Sequence, residues 1–191
     1  MTGESVINLG IGGNSLLSEL AVLKEYAKSR KPKKVLWIYY EGNDLLDLER
    51  EKSAPLLMNY LQPKFSQNLI ERQTEIDKRI SKYIVQVEID LEQSAPRLEF
   101  IKIRNFLKLL KLVNIRQRMS FDLSVGPLFK EILKQARDQT ASWGGELLFV
   151  YLPFYTRYKA GLENNDMYMK RGLVIDTVKS LNISVIDIHK K

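Results

Sequence analysis

The chain has 191 residues, 45% of them hydrophobic, and 30 basic against 23 acidic residues give a formal charge of +7. That length and apolar content suffice for one domain with a core of its own. The lack of cysteine excludes disulfides, thiolate metal sites and a thiol nucleophile, and the single histidine, His189, excludes multi-histidine metal sites.

No run of about 18 apolar residues occurs, so no membrane span is expected. Met1-Thr2-Gly3-Glu4 has neither the basic start nor the apolar core of a signal peptide. The compartment is not readable from the sequence. The basic surplus is moderate and suits anionic surfaces or glycans, but it makes a weak case for nucleic acid, which is not expected as a partner.

In chain order, Val6-Ile7-Asn8-Leu9 reads as a buried strand that stops at Gly10-Ile11-Gly12-Gly13-Asn14. Asn14 or Ser15 then caps a helix to about Lys28, with Leu16, Leu17, Leu20, Leu23 and Tyr26–Ala27 inward. Pro32 breaks it. Val35–Tyr40 is a second buried strand, ending at Glu41-Gly42-Asn43-Asp44. Continuous apolar character and short connections predict parallel strands covered on both faces. Asp47–Lys52 is charged, and Ala54–Leu61 is a loop or short helix between Pro55 and Pro63. A long helix is expected from about Gln67 to Glu92, with Leu69, Ile76, Ile80, Tyr83, Ile84 and Val87 as its stripe. After Pro96 a second helix, Phe100–Met119, places Ile103, Phe106, Leu107, Leu110 and Val113 on one face and Lys102, Arg104, Lys108, Lys111, Arg116 and Arg118 on the other. The basic face is read as solvated rather than as a membrane- or glycan-docking face, because no Trp anchors it. Residues 47–123 are read as a helical insertion in one α/β domain. The α/β pattern resumes with a helix from Pro127 to about Ser142, ended by Gly144-Gly145. A strand follows at Glu146–Leu152, then a helix near Met169–Leu181 and a strand at Ile183–Ile188.

Gly10-Ile11-Gly12-Gly13 is a partial dinucleotide fingerprint. Its third glycine would fall at Ser15, and no ribose-binding acid ends the next strand at the usual distance, so no nucleotide cofactor is expected. Asn8, inside an apolar run, needs a hydrogen-bond partner and is expected to tie to a neighbouring loop. Asn43-Asp44 fits an Asx turn. Two adjacent strand ends, one bearing Gly13 and the other Asn43, can also aim a backbone N–H and a side-chain amide at one developing oxyanion.

Val6-Ile7-Asn8-Leu9-Gly10-Ile11-Gly12-Gly13-Asn14 together with Glu41-Gly42-Asn43-Asp44 resembles the second and third sequence blocks of the SGNH (GDSL-type) hydrolases. The resemblance spans residues 5–45. Glu41 stands where that family usually has Gly, and residues 125–188 share only its α/β texture. It implies a flavodoxin-like three-layer α/β/α fold with a parallel sheet. It also implies an acyl-ester hydrolase needing no cofactor or metal, with Gly13 and Asn43 in the oxyanion hole. The substrate would be an acyl ester, with an acylated glycan or lipid as the candidates.

The family's G-D-S block and its D-x-x-H pair do not occur. None of Ser15, Ser18, Ser53, Ser66, Ser120, Ser124 and Ser142 lies in a nucleophile motif, and Ser15 is better explained by capping. Asp187-Ile188-His189 has the spacing D-x-H instead, and His189 is read as a surface residue rather than a base. The chain is therefore expected to be a fragment that supplies an oxyanion hole and is inactive alone. In the family resembled, the G-D-S strand lies between the strands matching 6–9 and 35–40. Those two are therefore expected side by side or separated by one empty slot. A non-catalytic binding or assembly domain on a degenerate hydrolase fold, and a polysaccharide O-acyltransferase, are the alternatives.

Overall fold

The computed structural model describes residues 5–93, 124–158 and 166–189, without the side chains of 91–93, 156 and 166–169. Two compact units emerge: one joins the chain up to Gln67 with the stretch after Leu123, the other begins at Asn68.

In the first unit, helix α1 runs as Leu16–Val22, widens into a π-helical stretch at Leu23–Ala27 and closes with Lys28–Arg30. Lys31, at φ 47°, terminates it in the left-handed region. Strand β1 is Lys34–Tyr40, followed by helices α2, Asp44–Glu51, and α3, Pro55–Asn59. Helix α4, Gln73–Gln93, belongs to the second unit, where Ile80, Tyr83 and Ile84 of its apolar stripe are exposed. The expected helix at 100–119, with both its faces, lies outside the described residues. Back in the first unit come α5 (Pro127–Ala141), β2 (Glu146–Leu152), a 3-10 turn (Tyr155–Tyr158), α6 (Asp166–Ser180) and β3 (Ser184–Asp187). Residues 47–67, read from the sequence as the start of the insertion, contribute Leu48 and Tyr60 to the buried interior of the first unit.

The three strands are parallel in the order β1-β2-β3, with Trp37 opposite Phe149, Tyr39 opposite Tyr151, and Phe149 opposite Val185. This is a mixed α/β fold. Strand alternation sorts the side chains: Trp37, Tyr39, Leu147, Phe149 and Tyr151 are buried in one cluster with Leu16, Leu20, Phe129, Ile132, Val174 and Val178 from the helices. The Tyr39 ring stacks on Phe149 at 5.6 Å and meets Phe129 edge-on at 6.0 Å.

Two expectations need correction. Val6–Leu9 is not a strand: Val6 is 89% and Ile7 58% exposed, and Asn8 Oδ1 accepts only the nearby Gly10 N–H. A four-residue, mostly apolar run forms a strand only when a neighbour supplies the ladder, and none does so among the described residues. Nor, among the described residues, is the sheet covered on both faces: Leu36, Ile38, Leu152 and Ile186 are exposed on the face opposite the core. The helices of the first unit that join the core all lie on the one side of the sheet, so only two layers are present there among the described residues.

A polar cluster holds the 60–67 loop on α1. Buried Lys24 donates to the carbonyls of Tyr60 and Gln62 and to Gln135 Oε1, while buried Glu25 accepts from Tyr60 Oη at 2.7 Å and Ser66 Oγ at 3.0 Å. The π-helical stretch contains both residues, a local widening of the kind that often carries special side chains.

Candidate functional site

Ligands of open parallel sheets bind beyond the carboxyl ends of the strands. At that end of β1 the chain turns through Glu41-Gly42-Asn43 into α2. Glu41 is buried and satisfied from β2 and its loop: Tyr151 Oη donates at 2.6 Å, the Phe154 N–H at 2.9 Å and Arg157 Nε at 3.0 Å. Burial pushes its carboxyl up, but these donors and the Arg157 charge outweigh it and hold Glu41 below the ordinary carboxylate range. Glu41 thus ties the ends of β1 and β2 together. Sequence reasoning did not find this pair; its one signal is an acid directly after an apolar strand with an Arg just past the next strand.

Asn43 opens α2, and its side-chain amide donates to Asp47 one turn later, where Arg50 pairs with the same carboxylate. An amide nitrogen carries two hydrogens. Asp47 takes one and fixes the orientation of the group, leaving the second to meet another acceptor.

Gly13 lies in an exposed turn with φ +91°, a conformation that side-chain-bearing residues rarely adopt. A Cβ there would meet no atom within 4 Å, so backbone shape rather than space asks for glycine. Two residues on, Ser15 is fully buried and its hydroxyl donates to the Asp44 carbonyl at 2.7 Å. The Ser15 and Leu17 N–H groups donate to the two carboxylate oxygens of Glu51, each at 2.9 Å. These bonds satisfy the open end of α1 with an acid from α2. They fasten the residue two after Gly13 to the residue one after Asn43. Ser15 stands at the N-cap position of α1, but its hydroxyl makes no capping bond and is spent on this clasp instead. The spacing of Ser15 to Glu51 is too long for sequence periodicity to announce it.

Asp187 and His189 are not joined as an acid–base pair. The Asp187 carboxylate accepts the His189 backbone N–H at 2.9 Å and pairs with Arg171. The His189 ring stacks on Tyr158, with Nδ1 3.0 Å from its hydroxyl. Strand β3 ends at Asp187, so His189 lies beyond the extended segment on which a residue two further along would share its face.

Among the described residues no group of three or more His, Asp or Glu side chains is arranged to hold a metal ion. Among them too, no helix is long and apolar enough to cross a membrane. Comparison with family models, curated proteins and solved structures gives no match for this chain.

Proposed function

We propose that this chain is the oxyanion-hole portion of a serine ester hydrolase of the SGNH (GDSL) type. The observation that carries the reading is the clasp from Ser15 to Asp44 and Glu51, which fastens the Gly13 turn to the Asn43 end of β1. The oriented Asn43 amide supports it further. In this reading a Ser outside the described residues attacks the acyl carbon, and the Gly13 N–H and Asn43 amide receive the oxyanion. A base, also outside them, takes the Ser proton and returns it to the leaving alcohol. The substrate is an acyl ester carried on a glycan or a lipid. A flavodoxin-like three-layer architecture belongs to the same reading: a further strand on the open β1 edge and a helix over the uncovered sheet face would complete it.

The test is cleavage of a short-chain nitrophenyl ester. The 191 residues alone release nitrophenolate at the buffer rate. Turnover abolished by Ser15→Ala or His189→Ala would contradict the reading. A non-catalytic assembly domain is the second reading, favoured by the separate engagements of Asp187 and His189.

A further inference from the structure

Aromatic rings line the carboxyl ends of β1, β2 and β3, the end at which open parallel sheets bind ligands. Tyr40, the last residue of β1, meets Phe154 edge-on at 5.8 Å, and Phe154 meets Tyr155 edge-on at 5.0 Å. Tyr155 and Tyr158 open and close the 3-10 turn after β2, at the spacing where side chains of such a turn eclipse and share a face. The Tyr158 ring stacks on His189, just past β3, at 5.7 Å with the planes 19° apart, and its hydroxyl lies 3.0 Å from Nδ1. Neighbouring strands stand about 4.8 Å apart, so a row from the end of β1 to the end of β3 crosses roughly 10 Å.

Backbone bonds hold these rings in place. The Tyr40 N–H donates to Asp44 Oδ2 at 2.6 Å, and the Phe154 N–H donates to buried Glu41 at 2.9 Å. The Tyr40 ring lies so close over Gly42 that a Cβ there would sit 2.5 Å from it. Gly42 immediately precedes Asn43, so the row begins beside the turn that presents the Asn43 amide. The rings do not serve the core: none of the five belongs to it, and Tyr155 and Tyr158 are 61% and 52% exposed. Exposed aromatic surface anchored in this way is pre-organised for a ligand, because little loop entropy is left to lose on binding.

The chemistry of the row selects its ligand. Tyr40, Tyr155 and Tyr158 each join a π face to a hydroxyl tip, and His189 adds ring nitrogens. A pyranose has the matching pair: a face of C–H groups that lies against a π face, and a rim of hydroxyls that exchange hydrogen bonds with phenols and imidazole. A fatty acyl chain offers no hydrogen-bond partner and needs a dry apolar cleft. This row is open to water, and it ends where Asp187, ion-paired with Arg171, accepts the His189 N–H. We propose that Tyr40, Phe154, Tyr155, Tyr158 and His189 form a glycan subsite that seats an oligosaccharide across the strand ends. The subsite deepens the hydrolase reading and rests on it for the ester: the substrate is then an acylated glycan, not a lipid.

NMR titration of the isotope-labelled chain with cellotriose, xylotriose and chitotriose, with no ester present, tests this. With at least one of these sugars the ring resonances of Tyr40, Phe154, Tyr155 and Tyr158 are expected to shift together and saturate with one dissociation constant. Tyr155→Ala and Tyr158→Ala, both at exposed positions, should each weaken that binding about three- to tenfold, the loss of one ring contact. Tyr155→Phe keeps the ring and should bind within about twofold of the parent. No ring shift with any of the three sugars, or alanine variants that bind like the parent, would overturn the subsite. Ring shifts produced by lysophosphatidylcholine and not by the sugars would overturn it too, and would assign the row to a lipid. Should an alanine variant not fold, the parent's ring shifts decide. Sugar binding that persists while Gly13 and Asn43 ignore an oxyanion mimic would leave the subsite standing and remove the hydrolase reading alone.

Discussion

Glu41 and Asp44 both lie just past the end of β1, yet burial has opposite outcomes for them. Glu41 meets a cation and three hydrogen-bond donors, so it stays ionised. Asp44 meets other acids instead. Glu41→Gln leaves Arg157 without its carboxylate and should destabilise the fold by about 2 kcal/mol at pH 7. Because the Glu41 carboxyl is lowered in the folded state, its contribution is present above the ordinary carboxylate value and disappears as pH falls through the lower one. Parent and variant should therefore draw together in urea unfolding as pH falls below the ordinary carboxylate range. Gly13→Ala forces a side chain into a left-handed position and should cost about 1 kcal/mol, readable in the same experiment. The need for Gly at 13 was legible from a strand-like run ending in glycines. The burial of Asp44 was not, because it depends on α2 folding back on α1, a contact between segments far apart in sequence.

At the scale of elements, the most legible pieces were those whose local signals agreed. Helix α5 starts at Pro127, carries Phe129, Ile132, Leu133 and Ala136 inward, and ends before Gly144 at φ +81°. Gly145 follows because a Cβ there would sit 2.6 Å from the Pro32 carbonyl oxygen. Phe129 touches the Tyr39 ring and is fully buried, so Phe129→Ala should cost about 3–5 kcal/mol in unfolding free energy. Strands β1 and β2 were equally plain, as apolar runs bounded by turn residues. Val6–Leu9 carried the same apolar signal and is not a strand, because a strand is a property of a pair of segments and its partner is absent among the described residues. The π-helical stretch in α1 has no periodic signature at all, since it follows from where Lys24 and Glu25 find partners.

For the first unit as a whole, the sheet is the decisive feature. Glu41 N–H bonds to Leu152 and Lys33 C=O to Glu146, so the alternate residues Leu36 and Ile38 turn their backbone groups to the other edge of β1. No strand occupies that edge among the described residues, and only the Tyr40 N–H there is met, by Asp44. With Leu36 and Ile38 exposed, edge and face together invite association. Leu36→Lys with Ile38→Lys should shift the chain toward monomer in sedimentation velocity, with no loss of stability, since both side chains are already exposed. The mixed α/β class was legible in the sequence, but the uncovered face was not, because an apolar strand reads the same whether or not a second layer reaches it.

The central claim is that Gly13 and Asn43 act on one anion. The most direct measurement is an NMR titration of the isotope-labelled chain with methylphosphonate, following the Gly13 backbone amide and the Asn43 side-chain amide. Both resonances should shift together and saturate with one dissociation constant, and Asn43→Ala should weaken the response at Gly13. Shifts at only one of the two, or at neither, would contradict the account.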